Sequence, residues 1–415
     1  MSGLPVLDRP TTSRPLPRSE QPTLSFRTLP ASARSEVLRA WEQLEHQWSA
    51  ASSSTSASTS PAVPLTCSVP WVRAWLANYG DEVPHEFFVA ERGGRTVGIT
   101  LLTRGVGHKD GPFRVQTRHL GTAGERPGQS VCTEYNRVLC LPADRAGFED
   151  ALFSHLLGDK SWEQLCLDGF TAEDAARLLQ DLPGAELRRR ESPYYNLAAT
   201  RMTGGELLDP LGRSTRQNVR RLLRKHGELT TEWATDLATA QSILHELIEL
   251  HQARWQAIGE PGAFKQPRFR GFQEQLVRDA FDSEASNGRA RSIVLCRVRN
   301  PQQTVGCLML LVDGRRLLDY LSGFADFNAV ASPGIVTHVC GMEEALQRGY
   351  DAYDFLVGEK RHKANLSTDT GELVWATWSR PSLKSRTVDT LRSLKRRWRN
   401  FREKPQSPPL PDENA

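Results

Sequence analysis

The 415-residue sequence predicts an α/β (α+β) protein of two tandem units, each a mixed, mostly antiparallel sheet flanked by helices. Three observations predict this. Each half carries a β-rich hairpin, His85–Arg104 in the first and Arg289–Val312 in the second. Thr96-Val97-Gly98 followed by Leu101-Leu102 returns as Thr304-Val305-Gly306 followed by Leu310-Leu311, each time on the second strand of its hairpin. In each half a helix then leads to a short strand, Trp162–Asp168 and Tyr350–Leu356. A shared element order marks a duplicated unit.

Composition sets the bounds. At ~150 residues per domain the length suits two or three domains. Hydrophobic residues are 39% and charged residues 25%, enough for a sizeable core and incompatible with wholesale disorder. No stretch approaches the ~18 apolar residues of a membrane span. Residues 1–22 are Pro- and Arg-rich without an apolar run, which reads as a disordered leader and not a secretory signal. Seven cysteines, none in a Cys-x-x-Cys pair, point away from a zinc site or a disulfide scaffold and toward the reducing cytoplasm. The net charge of +4 is concentrated late. Arg380 to Lys404 carries ten Lys/Arg against Asp389 and Glu403, so the basic character belongs to a tail.

The elements follow in order. Thr23–Leu29 alternates like a strand, and Pro30–Trp48 has helical spacing at Val37, Leu38, Trp41, Leu44 and Trp48. Ala50–Ser60 is a Ser/Thr/Ala loop, and Pro70–Tyr79 restarts a helix with Trp71 and Trp75 on one face. After the first hairpin come a strand at Tyr135–Leu141, a helix at Arg145–Leu157, a strand from Gln164, a helix from Ala172 and a strand over Ala185–Leu197. Gly204-Gly205 and Pro210 place a boundary near residue 200, giving units at 23–200 and 201–378 and a tail at 379–415. The second unit reads as a basic helix (Leu211–Lys225), a strand (Glu228–Trp233), two helices (Leu237–Ile258, Pro267–Phe281), the second hairpin, a strand from Arg315, a helix (Pro333–Arg348) and two last strands (Ala352–Leu356, Leu373–Trp378).

One series of motifs in the second half has a familiar order. It runs Ser214-Thr215-Arg216-Gln217-Asn218-Val219-Arg220-Arg221, Leu250-His251-Gln252-Ala253-Arg254-Trp255, Tyr320-Leu321-Ser322-Gly323-Phe324, Ser332-Pro333-Gly334, Gly349-Tyr350, Asp354-Phe355-Leu356, then Gly358-Glu359 with Lys363. Val69-Pro70-Trp71-Val72-Arg73-Ala74-Trp75 adds a weaker echo in the first half. The series resembles GNAT-like acyltransferases of the CelD (cellulose biosynthesis) and BioF2-like acetyltransferase group, distantly similar to the FemAB aminoacyltransferases. The resemblance implies two GNAT-like units and acyl transfer from acetyl-CoA to a polysaccharide or cell-envelope precursor. It departs from the usual pattern where Ala329-Val330-Ala331-Ser332-Pro333-Gly334 replaces the glycine-rich donor loop. An aminoacyl-tRNA-dependent enzyme and a non-catalytic nucleotide-sugar scaffold therefore remain as alternatives.

The residues suggest roles. Ser332, Pro333 and Gly334 would begin a helix whose free N–H groups hold an anion of the acyl-CoA, or merely cap it. Glu359 is the first choice of general base, with His251 as a second acid/base candidate and Tyr320 as a group to protonate a leaving thiolate. Arg254, Lys363 and Arg216 suit phosphate or carboxylate, while Ser322 and Asp354 would line the substrate site at strand ends. Tyr320 and Ser322 should point one way and Asp319 the other. No metal is expected. The basic tail, with Trp398 and Phe401 among its cations, suits an anionic membrane surface, such as the inner face of the cell membrane, or RNA.

Overall fold

The computed structural model describes residues 23–53, 63–110, 113–282, 291–358 and 361–381. The leader, most of the Ser/Thr/Ala loop, Glu359 and the basic tail from residue 382 lie outside the described residues.

The first half runs β1 (Leu24–Pro30), α1 (Arg34–Ser53), α2 (Val69–Tyr79), β2 (His85–Arg92), β3 (Arg95–Arg104), a small ribbon β4 (Lys109–Asp110) and β5 (Phe113–Arg114), then β6 (Thr117–Leu120), β7 (Leu139–Cys140), α3 (Arg145–Gly158), β8 (Gln164–Thr171), α4 (Ala172–Leu178) and β9 (Glu186–Asn196). After α5 (Leu197–Thr203) the second half gives α6 (Arg213–His226), β10 (Thr230–Trp233), α7 (Leu237–Ala257), α8 (Pro267–Phe281), β11 (Ile293–Arg299), β12 (Thr304–Asp313), β13 (Arg316–Phe324), α9 (Pro333–Gln347), β14 (Ala352–Asp354), α10 (Arg361–Leu366) and β15 (Asp369–Ser379). Local chemistry sets the boundaries. Gly93 and Gly94, both at positive φ, make the tight β2–β3 turn. Ser68, Thr171 and Asp236 cap α2, α4 and α7 through their side-chain oxygens.

All but β4 and β5 join one sheet, in the order β1-β2-β3-β6-β8-β15-β9-β14-β13-β12-β11-β10, with β7 also on β3. The order is a palindrome. β6 and β8 pair in parallel over Thr117–His119 and Gln164–Cys166, and β13 and β14 do so over Arg316–Leu318 and Ala352–Asp354. After those three pairs each couple parts, because β6 and β14 end while β8 and β13 run on beside β15 and β12. The last strands are exchanged: β9 pairs with β14, β15 with β8, and the two pair with each other at the centre.

Three cores fill the layers. The largest joins α1, α2, α7 and α8 on one face, where Trp71 meets the Phe272 ring edge-on at 5.0 Å. The other face has a core under α5, α6 and α9 and a separate one under α3 and α4. Two expectations need correction. Tyr135–Leu141 is not a continuous strand: Tyr135 is left-handed, Asn136 makes one isolated bridge to Phe170, and Leu139–Cys140 pairs with β3. β6 was not foreseen, because Thr-Arg-His-Leu has no alternation to betray it.

Candidate active site

β13 carries a bulge. Met309 pairs with Leu321 and Leu310 with Asp319, leaving Tyr320 as the extra residue. The expected alternation is therefore broken. Asp319 stands opposite Leu310 and Ser322 opposite Leu308, both leucines of the α9-side core, so these two share that face. Tyr320 packs on the other face beside Trp71. Its hydroxyl donates to the Val131 carbonyl at 2.7 Å and accepts from Gln273 Nε2 at 3.0 Å. Burial lifts its ionisation well above the ordinary tyrosine range. In this setting Tyr320 ties β13 to a loop of the first half.

Asp354, at the end of β14, is fully buried. One carboxylate oxygen accepts from Ser192 Oγ and the Leu356 amide, both at 2.8 Å, and the other from Tyr135 OH and Arg316 Nη1, both at 2.6 Å. The guanidinium of Arg316 lies over the Tyr194 ring at 4.5 Å. A charge so deeply buried is held by its partners, and the partners come from both halves. Lys363 points its ammonium at three successive carbonyls, those of Phe355, Leu356 and Val357. It thereby fixes the end of β14.

Between these anchors runs residues 131–135. Val131 is held by Tyr320 and Tyr135 by Asp354. Glu134, between them, accepts a hydrogen bond from the Val357 amide at 3.0 Å. Burial pushes its carboxyl up to about 7, although Val357 and Lys363 pull it down. Cys132, Tyr135, Ser332 and Leu356 are the non-glycine residues at positive φ among the described residues. Three of the four flank the Glu134–Val357 contact, and such strain collects at functional sites.

The remaining candidates lie elsewhere. Ser332 is left-handed, its hydroxyl does not cap α9, and Gly334 sits over the Phe324 ring on the α9 face. Under that helix Phe324, His338, Tyr353 and Phe355 form a buried aromatic box. His251 accepts from Trp255 Nε1 at 3.0 Å near the exposed end of α7, and Arg254 lies over the Phe327 ring at 4.6 Å. Arg216 donates to the carbonyls of Asp209 and Leu211, bracing the turn before α6. The structure brings Tyr320, Asp354 and Lys363 together around residues 131–135 and 355–357, and leaves His251, Arg254 and Arg216 apart from them in hydrogen bonding. Sequence reasoning missed Glu134, Tyr135, Ser192 and Arg316. The only signal for Glu134 was an acid in the unpatterned stretch Val131-Cys132-Thr133-Glu134-Tyr135.

Among the described residues no group of three or more His, Cys, Asp or Glu is placed to hold a metal ion, and no helix is long and apolar enough to cross a membrane. The search among curated proteins returned no match. Several solved structures are similar at low identity. A tandem GNAT protein from the clavulanic acid biosynthesis pathway shares 15% identity over 87% of this chain and 100% of its own, at a TM-score of 0.45. A conserved protein from Bacteroides thetaiotaomicron shares 10% over 86% and 100%, at 0.45. FemX shares 14% over 80% and 95%, at 0.41. The family model described as "Acetyltransferase (GNAT) domain" matches residues 213–364. That span, which runs from the first residue of α6 into α10 and includes the β13–β14 fork, is similar to the GNAT acetyltransferase domain.

Proposed function

We propose that the protein transfers an acyl group from a thioester to an amine or hydroxyl by direct attack, with acetyl-CoA as donor and a polysaccharide or cell-envelope precursor as acceptor. One observation carries the reading: the parallel strands β13 and β14 part inside the matched domain, and polar groups of both halves meet at the parting. Ligands of α/β sheets bind where strands end and diverge. The polysaccharide context rests on the sequence resemblance alone.

The residues near the start of α9 suit an anionic donor. Pro333 has no N–H to lose, and the next amides belong to Gly334 and Ile335 at a helix N-terminus with no acid in its first turn. α6 ends beside it, His226 Nε2 lying 2.8 Å from the Ala331 carbonyl oxygen. Arg213, Arg220, Arg221, Arg224 and Lys225 are exposed along α6. Among the described residues the acid paired with them is Glu206, 3.9 Å from Arg220. That exposed basic stripe also favours a second reading, an aminoacyl-tRNA donor.

Mass spectrometry of incubations with acetyl-CoA or aminoacyl-tRNA and glycan-precursor acceptors tests both. An acetylated product supports the first reading, and an aminoacylated product with salt-sensitive tRNA binding supports the second. A chain that binds neither donor by calorimetry overturns the acyltransferase reading.

A further inference from the structure

We infer that the active site is assembled from both halves, with Glu134 of the first half taking the proton from the acceptor bound in the second. The inference rests on the acyltransferase reading and goes beyond it by naming the proton acceptor and its origin.

The first half has a fork like that between β13 and β14, and its own chain fills it. The Asn136 amide donates to the Gly169 carbonyl at 3.0 Å, its side-chain Nδ2 donates to the Leu120 carbonyl at 2.9 Å, and Asn136 bridges to Phe170 in parallel. Asn136 thus stands between the ends of β6 and β8, where the second half keeps β13 and β14 apart. Close packing fits this stopper. A Cβ at Gly121 would lie 2.5 Å from Asn136 Oδ1, and one at Gly169 only 2.4 Å from the Thr133 carbonyl oxygen. The first-half cleft is spent on holding this loop.

The held loop reaches across. Two residues before Asn136, Glu134 meets the Val357 amide just past the end of β14. Tyr320 and Asp354, both of the second half, fix the loop on either side of it. Such pinning keeps strained backbone in place at Cys132 and Tyr135. Glu134 is half-buried, so its carboxylate is shielded without being sealed. Lys363 and Arg190 face it as cations and Asp354 as an anion, with the Cys132 thiol also within its field. A carboxyl near neutrality at such a point is matched to a base that must accept a proton and release it.

The step balances. The acceptor nitrogen or oxygen attacks the thioester carbonyl, and a C–N or C–O bond forms as the C–S bond breaks. The thiolate leaves with the C–S electron pair. The acceptor's N–H or O–H proton passes to the Glu134 carboxylate, which then returns it to the thiolate or to water.

The test is the pH dependence of kcat/KM for the full-length wild type, Glu134→Gln, Glu134→Asp and Glu359→Gln, with folding checked by circular dichroism. The expected wild-type profile rises with unit slope through an apparent pKa near 7. Glu134→Gln loses about 100-fold or more in rate and loses that limb. Glu134→Asp recovers part of the rate, and Glu359→Gln keeps the limb. A Glu134→Gln enzyme with the limb intact and its rate within about threefold overturns the inference, as does loss of the limb in Glu359→Gln alone. Those results leave acyl transfer standing. A wild type without transfer at any pH removes both the inference and the reading beneath it.

Discussion

Replacing Asp354 by Asn tests whether the halves are clasped by a buried charge. Each oxygen of Asp354 accepts two hydrogen bonds, at 2.6 to 2.8 Å. An amide keeps one oxygen and presents an NH2 to two groups that are themselves donors, so two of Tyr135, Arg316, Ser192 and Leu356 lose their acceptor. Arg316 also loses its counter-charge. Removing one partner of a buried pair costs about 3–5 kcal/mol. The Arg316 side chain is 29% exposed, so water reaches it in part, and the lower end of that range applies. Ser192→Ala removes one hydroxyl donor and leaves the charge paired, so it should cost about 1–2 kcal/mol. The assay is urea unfolding followed by tryptophan fluorescence and far-UV circular dichroism together. Asp354→Asn within about 1 kcal/mol of wild type would refute the reasoning, because it would mean that the carboxylate is not desolvated.

Other substitutions probe the same junction. Glu134→Gln should stabilise the protein at pH 8 and much less at pH 4. The folded carboxyl lies near 7 against an ordinary glutamate value of 4.5, so the folded state binds more protons between these values and wild-type stability falls as pH rises through them. At 1.36 kcal/mol per pH unit the ceiling on this difference is about 3 kcal/mol, and urea midpoints at the two pH values measure it. Gly169→Ala forces a side chain into φ +68° and within 2.4 Å of the Thr133 carbonyl, and it should cost more than about 2 kcal/mol in the same unfolding assay. Trp71→Ala empties the contact between α2 and α8 and strands Thr122, which accepts from Trp71 Nε1 at 2.7 Å; a loss of about 3–5 kcal/mol is expected from denaturation midpoints.

Much of the element order was legible because it is written in local periodicity. The Gly93-Gly94 turn of the first hairpin and the helical spacing of Val37, Leu38, Trp41, Leu44 and Trp48 in α1 each announce themselves. The repeated Thr-Val-Gly text marks β3 and β12, which the structure places in equivalent positions of a palindromic sheet. Partners were not legible. Nothing in Glu186–Asn196 or Asp369–Ser379 says that these strands cross to the other half, since pairing is set by tertiary fit. Tyr320, Asp354 and Lys363 could be singled out because they fall in the motif series Tyr320-Leu321-Ser322-Gly323-Phe324, Asp354-Phe355-Leu356 and Gly358-Glu359 with Lys363. Their task of holding residues 131–135 and 355–357 was hidden, because it depends on a bulge at Tyr320 and left-handed backbone at Tyr135 and Leu356. Both are consequences of packing between distant segments.

Amide hydrogen exchange with and without saturating acetyl-CoA tests the central claim most directly. The two forks can be compared within one molecule: residues 319–326, 332–337 and 354–358 in the second half, and 117–121 and 164–170 in the first. Binding at the fork of β13 and β14 slows exchange in the first set and leaves the second set unchanged. Slowing confined to residues 117–121 and 164–170 would contradict the account, because it would place the donor where Asn136 is held to be the stopper.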